Sequence, residues 1–189
     1  MYNLVVFASG NGSTLQAIID SINSNELKAK ISLVISNNEN AYALERAKKS
    51  NIETYIIKSK TSEETDIELD QKLSNYKIDL IVLAGYLKKI GTNLISKYKI
   101  INTHPSLLPK FGGKGMYGMN VHTAVIEAKE EYSGVTLHFV NEKYDDGNII
   151  KQTQVKVLPE DTPETLSQKV QKVEKLQLID VLKEFSEEK

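Results

Sequence analysis

Cysteine is absent from the 189 residues, which excludes thiol nucleophiles, Cys-ligated zinc, iron–sulfur clusters and disulfides together. Tryptophan is absent and proline occurs four times. Arginine is nearly absent: Arg46 stands alone among 24 basic residues, so planar bidentate clamping of an anion falls to lysines and backbone N–H groups. Charge of one sign is not in excess, the net value being −1; a generic nucleic-acid binder carries a basic excess or stripe. No apolar run approaches the roughly 20 residues that span a bilayer, and the first residues show no secretory-leader pattern. These features predict a cytoplasmic protein that engages neither membrane nor nucleic acid. The length is that of about one domain, and we expect residues 1–189 to form a single domain.

Short β-branched runs alternate with longer amphipathic stretches, the pattern of βαβ units. Strands are predicted at residues 3–8, 31–35, 54–57, 79–84 and 100–103, with helices at 13–24, 41–50 and 62–76. Leu15, Ile18, Ile19 and Ile22 mark the first helix's apolar face; Ile67, Leu69, Leu73 and Tyr76 mark the third's. Beyond about residue 131, two runs at 135–140 and 149–157 flank the turn-rich Tyr144-Asp145-Asp146-Gly147-Asn148, which reads as a hairpin. Thr162 and Pro163 suit the N-cap and first position of a long terminal helix. Its expected apolar face is Leu166, Val170, Val173, Leu176, Ile179 and Leu182, with a frayed tail at 187–189. The expected fold is α/β: a three-layer, Rossmann-like open sheet, mostly parallel, with antiparallel strands near the C-terminal end.

Ser9-Gly10-Asn11-Gly12-Ser13-Thr14 lies between the first strand and helix, where backbone N–H groups can face a phosphate. It is neither a P-loop nor a dinucleotide fingerprint. The alternative is a plain tight turn with Ser13 or Thr14 capping the helix. In an extended segment the i, i+2 spacing puts Asn102 and His104 on one side, where amide and imidazole donors could meet an oxyanion. An isolated His at a strand end is as readily structural, and Asp145 in Asp-Asp-Gly is also what a hairpin turn favours. His138 shares a strand face with Thr136 and reads as support for the centre. His122 reads as structural or solvent-facing. A three-His metal site with Asp145 lacks any short ligand spacing, so no metal is expected.

Phe7-Ala8-Ser9-Gly10-Asn11-Gly12-Ser13, Leu83-Ala84-Gly85-Tyr86, Ile101 through Pro109, and Gly134 through Val140 on to Asp145 follow one another in an order that resembles the folate-dependent formyltransferases, over roughly residues 2 to 182. The resemblance implies formyl transfer from 10-formyltetrahydrofolate, as co-substrate, to the amine of 5-phosphoribosylglycinamide in purine biosynthesis. It implies a catalytic trio of Asn102, His104 and Asp145. Gly12, Ser13 and Thr14 match a substrate-phosphate loop, and Glu174 an acid facing the ribose, with a solvated helix charge as its alternative. Leu87, Lys88, Lys89 and Ile90, together with Asn102, Val140, Asn141, Glu142 and Tyr144, match folate-binding positions. Partners would be these small molecules alone, with the chain a monomer or homodimer.

Two segments depart from the family pattern. Lys110 through Asn120 is longer than the usual turn and has four glycines, which suggests a mobile lid beside the substrate. Ser62, with Lys58 and Lys60 nearby, stands where relatives place an arginine for the folate side. Competing functions are a formyltetrahydrofolate hydrolase, which would carry a further N-terminal regulatory domain, and a non-catalytic phosphoribosyl- or folate-binding module. A methionyl-tRNA formyltransferase would need a C-terminal RNA-gripping domain.

Overall fold

The computed structural model describes residues 1–188. Its strands form one seven-stranded sheet in the hydrogen-bonded order Thr54–Ile56, Ala29–Ser36, Tyr2–Phe7, Leu80–Leu83, Ile100–His104, Tyr132–Phe139, Ile149–Lys156. The chain divides into two compact units, one of Met1–Ile101 with the segment from Leu182 onward, the other of Asn102–Val181.

The first unit is built from β1 (Tyr2–Phe7), α1 (Ser13–Asn23), β2 (Ala29–Ser36), α2 (Tyr42–Lys49), β3 (Thr54–Ile56), α3 (Ser62–Leu73), β4 (Leu80–Leu83) and α4 (Thr92–Lys97). β1 pairs in parallel with both β2 and β4, and β2 with β3. Leu4 to Phe7 and Leu80 to Val82 are wholly buried, as parallel strands covered on both faces require. Asp79 ties the starts of β1 and β4, accepting the Asn3 backbone N–H at 2.7 Å and its side-chain amide at 2.9 Å. α3 stops at Leu73, and Ile67, expected on its apolar face, is 54% exposed while Asp66 is buried. The reason is local: Asp66 turns inward to accept the Asn93 N–H at the start of α4, so a polar residue occupies a core-facing position. α4 was not expected; six residues are too few to display a helical period.

The second unit takes up β5 (Ile100–His104) from Asn102, then α5 (Met119–Glu127), β6 (Tyr132–Phe139), β7 (Ile149–Lys156) and α6 (Pro163–Glu187) up to Val181. β6 and β7 form the antiparallel hairpin, with a register shift between Leu137 and His138. Val125, Val135, Val155, Leu166 and Val170 make its core, with Phe111, Ile126, Val157 and Val173 packed against them. Thr162 caps α6 as expected, its hydroxyl accepting the Thr165 N–H at 3.3 Å. The helix ends at Glu187, the first residue of the expected tail, and Lys189 lies outside the described residues. Its apolar face also differs from expectation: Leu176 is 69% exposed, whereas Gln177, Leu178 and Val181 are buried. Gln177 holds a core-facing position because its side-chain amide donates to the Lys151 carbonyl at 3.1 Å, which satisfies the buried group and hides the true phase of the stripe.

Candidate active site

β5 carries Asn102 and His104 on alternate residues, and the β6–β7 connection carries Asp145; the second unit brings all three into one chain of close polar contacts through His138. The Asn102 amide nitrogen lies 3.2 Å from His138 Nε2. His138 Nε2 lies 3.6 Å from Asp145 Oδ1, and Asp145 Oδ2 lies 3.4 Å from His104 Nδ1. His138 stands at the register shift in β6, the kind of bulge that re-aims a side chain beside a site.

Hydrogen-bond partners assign the tautomers. His138 Nδ1 faces the Phe139 carbonyl at 2.9 Å, so it carries the proton and Nε2 accepts from the Asn102 amide. His104 Nε2 faces the Phe111 carbonyl at 2.7 Å, so in the neutral ring Nε2 is the donor. Its Nδ1 lone pair is then turned toward the Asp145 carboxylate. Burial pushes the His104 pKa down, outweighing the opposite pull of Asp145 and the Phe111 carbonyl. Burial raises the Asp145 pKa, but the neighbouring His138 and His104 imidazoles and the Gly113 N–H at 2.9 Å together hold it below the ordinary carboxylate value. The resting pair at neutral pH is therefore a neutral imidazole beside an ionised carboxylate. That pairing is poised to accept a proton at Nδ1 and to stabilise the imidazolium formed.

The backbone groups of Phe111 and Gly113 were invisible to sequence reasoning, because every residue carries such groups. Asp145 itself sits at φ 53°, a left-handed conformation that aspartate tolerates better than most residues. The turn depends on Gly147, where an added Cβ would lie 1.7 Å from the Phe139 carbonyl oxygen. Thr136 does not reach the trio. It accepts the Leu108 N–H at 3.0 Å and donates to the Ser106 carbonyl at 2.7 Å, fixing the segment that leaves His104. His122, one of whose alternatives was solvent-facing, is 3% exposed, with Nδ1 unpartnered among the described residues.

The opening loop belongs to the first unit. Gly12, not Ser13 or Thr14, is the N-cap of α1, at φ 73° and with no side-chain cap. Two constraints require glycine there: the positive φ, and Ala43, whose Cα and Cβ would both lie 2.7 Å from an added Cβ.

Residues 2–182 match the family model described as Formyl transferase. The chain belongs to the formyl transferase family. It is 38% identical, over 98% of its length, to the chloroplastic phosphoribosylglycinamide formyltransferase of Arabidopsis thaliana, and spans 66% of that relative's length. Identity to the phosphoribosylglycinamide formyltransferase of Haemophilus influenzae is 39%, covering 92% of this chain and 82% of the relative. The crystal structure of phosphoribosylglycinamide formyltransferase from Bacillus halodurans superposes with a TM-score of 0.89 at 35% identity, covering 96% of this chain and 94% of that one.

The remaining positions matched to the formyl transferases lie as follows. In the first unit, Leu87, Lys88 and Lys89 are exposed and Ile90 is buried; the Leu87 N–H donates to Ser9 Oγ at 3.0 Å. In the second, Val140 and Asn141 are half-buried while Glu142 and Tyr144 are exposed, and Asn141 Oδ1 accepts the Lys143 N–H at 2.9 Å. Glu174 is half-buried and accepts from the Thr103 hydroxyl at 3.0 Å, rather than standing free as a solvated helix charge. The glycine-rich segment after Pro109 is tied down at its base, where Phe111 and Gly113 hold the trio. Lys114, Gly115, Tyr117 and Gly118 beyond it are exposed. Among the described residues no group of three or more histidine, aspartate or glutamate side chains is arranged to hold a metal ion, and no helix is long and apolar enough to cross a membrane.

Proposed function

We propose that this chain transfers a formyl group from 10-formyltetrahydrofolate to the amine of 5-phosphoribosylglycinamide, a step of purine biosynthesis that releases tetrahydrofolate. The observation that carries the reading is the chain Asn102–His138–Asp145–His104, with a lone pair left on His104 Nδ1 beside an ionised carboxylate.

A new C–N bond forms between the attacking amine and the formyl carbon, and the bond from that carbon to the folate nitrogen breaks. Asn102, oriented by His138, donates to the negative oxygen that develops on the formyl group. His104 takes the proton from the attacking nitrogen at Nδ1. Asp145 stabilises the imidazolium, and the proton passes on to the departing folate nitrogen. His138 and Thr136 act by support, one on Asn102 and the other on the Ser106–Leu108 backbone. No metal takes part in this scheme.

Gly12, Ser13 and Thr14 receive the substrate phosphate, and Glu174 the ribose. Leu87, Lys88 and Lys89 contact the folate, with buried Ile90 as anchor; Asn102, Val140, Asn141, Glu142 and Tyr144 are its other contacts. The protein works in the cytoplasm on these small molecules, as a monomer or homodimer, without nucleic acid or membrane. Residues 1–189 act as one formyltransferase domain, a reading supported by one family match over residues 2–182.

The test is a spectroscopic assay with a 10-formylfolate donor, with and without phosphoribosylglycinamide. Turnover that requires the amine supports transfer. Equal turnover without it would instead identify a hydrolase, and ligand binding without turnover a non-catalytic module.

A further inference from the structure

The only arginine in the chain does not face solvent in search of an anion; it is spent on the opening loop from the α2 side. Arg46 Nε donates to the Asn11 carbonyl at 2.8 Å, one Nη to the Asn11 side-chain oxygen at 2.9 Å and the other to Gln16 Oε1 at 3.1 Å. Its guanidinium carbon lies 4.8 Å from the centre of the Tyr42 ring, so stacking restricts the plane of the fork. One turn earlier on α2, the Ala43 N–H donates to the Gly10 carbonyl at 3.1 Å. Helix α2 thus captures two successive loop carbonyls.

The geometry of the peptide unit converts that capture into a direction. Both units are trans, and a trans peptide holds its C=O and N–H on opposite sides. With the Gly10 carbonyl turned to Ala43, the Asn11 N–H points the other way. With the Asn11 carbonyl turned to Arg46, the Gly12 N–H does so too. Neither N–H meets an acceptor among the described residues. Successive N–H groups turned to one side, next to a left-handed Gly12 and the positive end of α1, form an anion-binding concavity.

We infer that Arg46 is a positioning residue for the phosphate of the substrate: it binds no anion itself but holds the Asn11 carbonyl away, so that the Gly12 N–H faces the phosphate. This rests on the phosphate reading of the loop given above. Lysine would keep the charge but not the fork, so charge alone does not substitute.

The experiment is titration of the protein with inorganic phosphate, followed by amide NMR, alongside steady-state kinetics of wild type, R46A and R46K. In wild type, phosphate shifts the Asn11 and Gly12 amide signals and leaves the Arg46 Nε–H signal unmoved. Both variants weaken phosphate binding and raise KM for phosphoribosylglycinamide by roughly tenfold, with KM for the folate donor and kcat within about twofold. A shift of the Arg46 Nε–H signal on phosphate addition, or near-wild-type KM in R46K with loss only in R46A, would show a direct charge contact and overturn the proposal. Unchanged affinity in both variants would overturn it as well. Wild-type protein whose Asn11 and Gly12 amides ignore phosphate would sink the loop reading itself, and the Arg46 inference with it. The wild-type titration stands without either variant should R46A fold poorly.

Discussion

His104 Nδ1 and Asp145 Oδ2 face each other at 3.4 Å, longer than the roughly 2.7–2.9 Å of a fully formed charge-assisted hydrogen bond. The length is what two unprotonated atoms would adopt, since the Phe111 carbonyl already holds the ring proton on Nε2. In the proposed reaction Nδ1 gains a proton, so the attraction to Asp145 would be realised as charge develops rather than in the resting state. An interaction of that kind lowers a barrier instead of merely binding substrate.

The buried histidines set the acid side of stability. Burial lowers the pKa of both His104 and His122 from the ordinary 6.5, with the His104 charge adding to the effect on His122. Below 6.5 the unfolded chain therefore binds more protons than the folded one. Stability is complete above that value and declines as pH falls toward the lowered folded pKa values. Thermal melts at pH 7.5 and 5.5 should show a lower Tm at the acid value, with a smaller drop in H122Q than in wild type. Equal drops in the two proteins would remove His122 from this account.

Gly113 has two duties that substitution separates. Its N–H donates to Asp145 Oδ2 at 2.9 Å, and its φ is +92°. An added Cβ meets nothing within 4 Å, so G113A keeps the hydrogen bond at a strain cost of about 1–2 kcal/mol. G113P loses both the donor and the backbone conformation. We expect kcat in G113P to fall roughly tenfold below that of G113A, measured by stopped-flow single turnover. Matching rates would mean that the Gly113 N–H does not hold Asp145 in place.

In the first unit Glu68 fastens the segment after β3 to α3. Its carboxylate accepts from Tyr55 Oη at 2.7 Å, the Lys58 N–H at 2.9 Å, the Ser59 N–H at 2.8 Å and the Ser59 hydroxyl. Burial raises its pKa, but these four donors win and bring it down to about 2. Because the folded value is depressed, the stabilisation is present above the ordinary value of 4.5 and is lost as pH falls toward 2. Solvent around the carboxylate reduces its worth to about 1 kcal/mol. E68Q should be less stable than wild type by that amount in urea unfolding at pH 7, with the gap closing toward pH 3. A gap independent of pH would point to packing rather than charge.

Legibility in the sequence followed periodicity. β1 and β4 were evident because unbroken apolar runs mark strands covered on both faces, and the Asn102/His104 alternation showed one strand face. The phase of α6 is hidden in the sequence because Gln177 and Glu174 stand where an apolar residue would report the buried side, each held by a specific hydrogen bond. The alternative that placed a cap on Ser13 or Thr14 fails because Gly12 occupies the N-cap through backbone conformation, which a side-chain rule does not register. The parts of the site contributed by the Phe111 carbonyl and the Gly113 N–H follow from where the chain passes, not from which residues it contains.

Asp145→Asn tests the account most directly, since asparagine tolerates the left-handed backbone and keeps the shape while removing the charge. The measurement is the single-turnover rate of formyl transfer to phosphoribosylglycinamide, with dissociation constants for both substrates taken on the same preparation. The account predicts a rate roughly 100-fold or more below wild type, with both affinities within about threefold. A variant that turns over at more than about a tenth of the wild-type rate would contradict it.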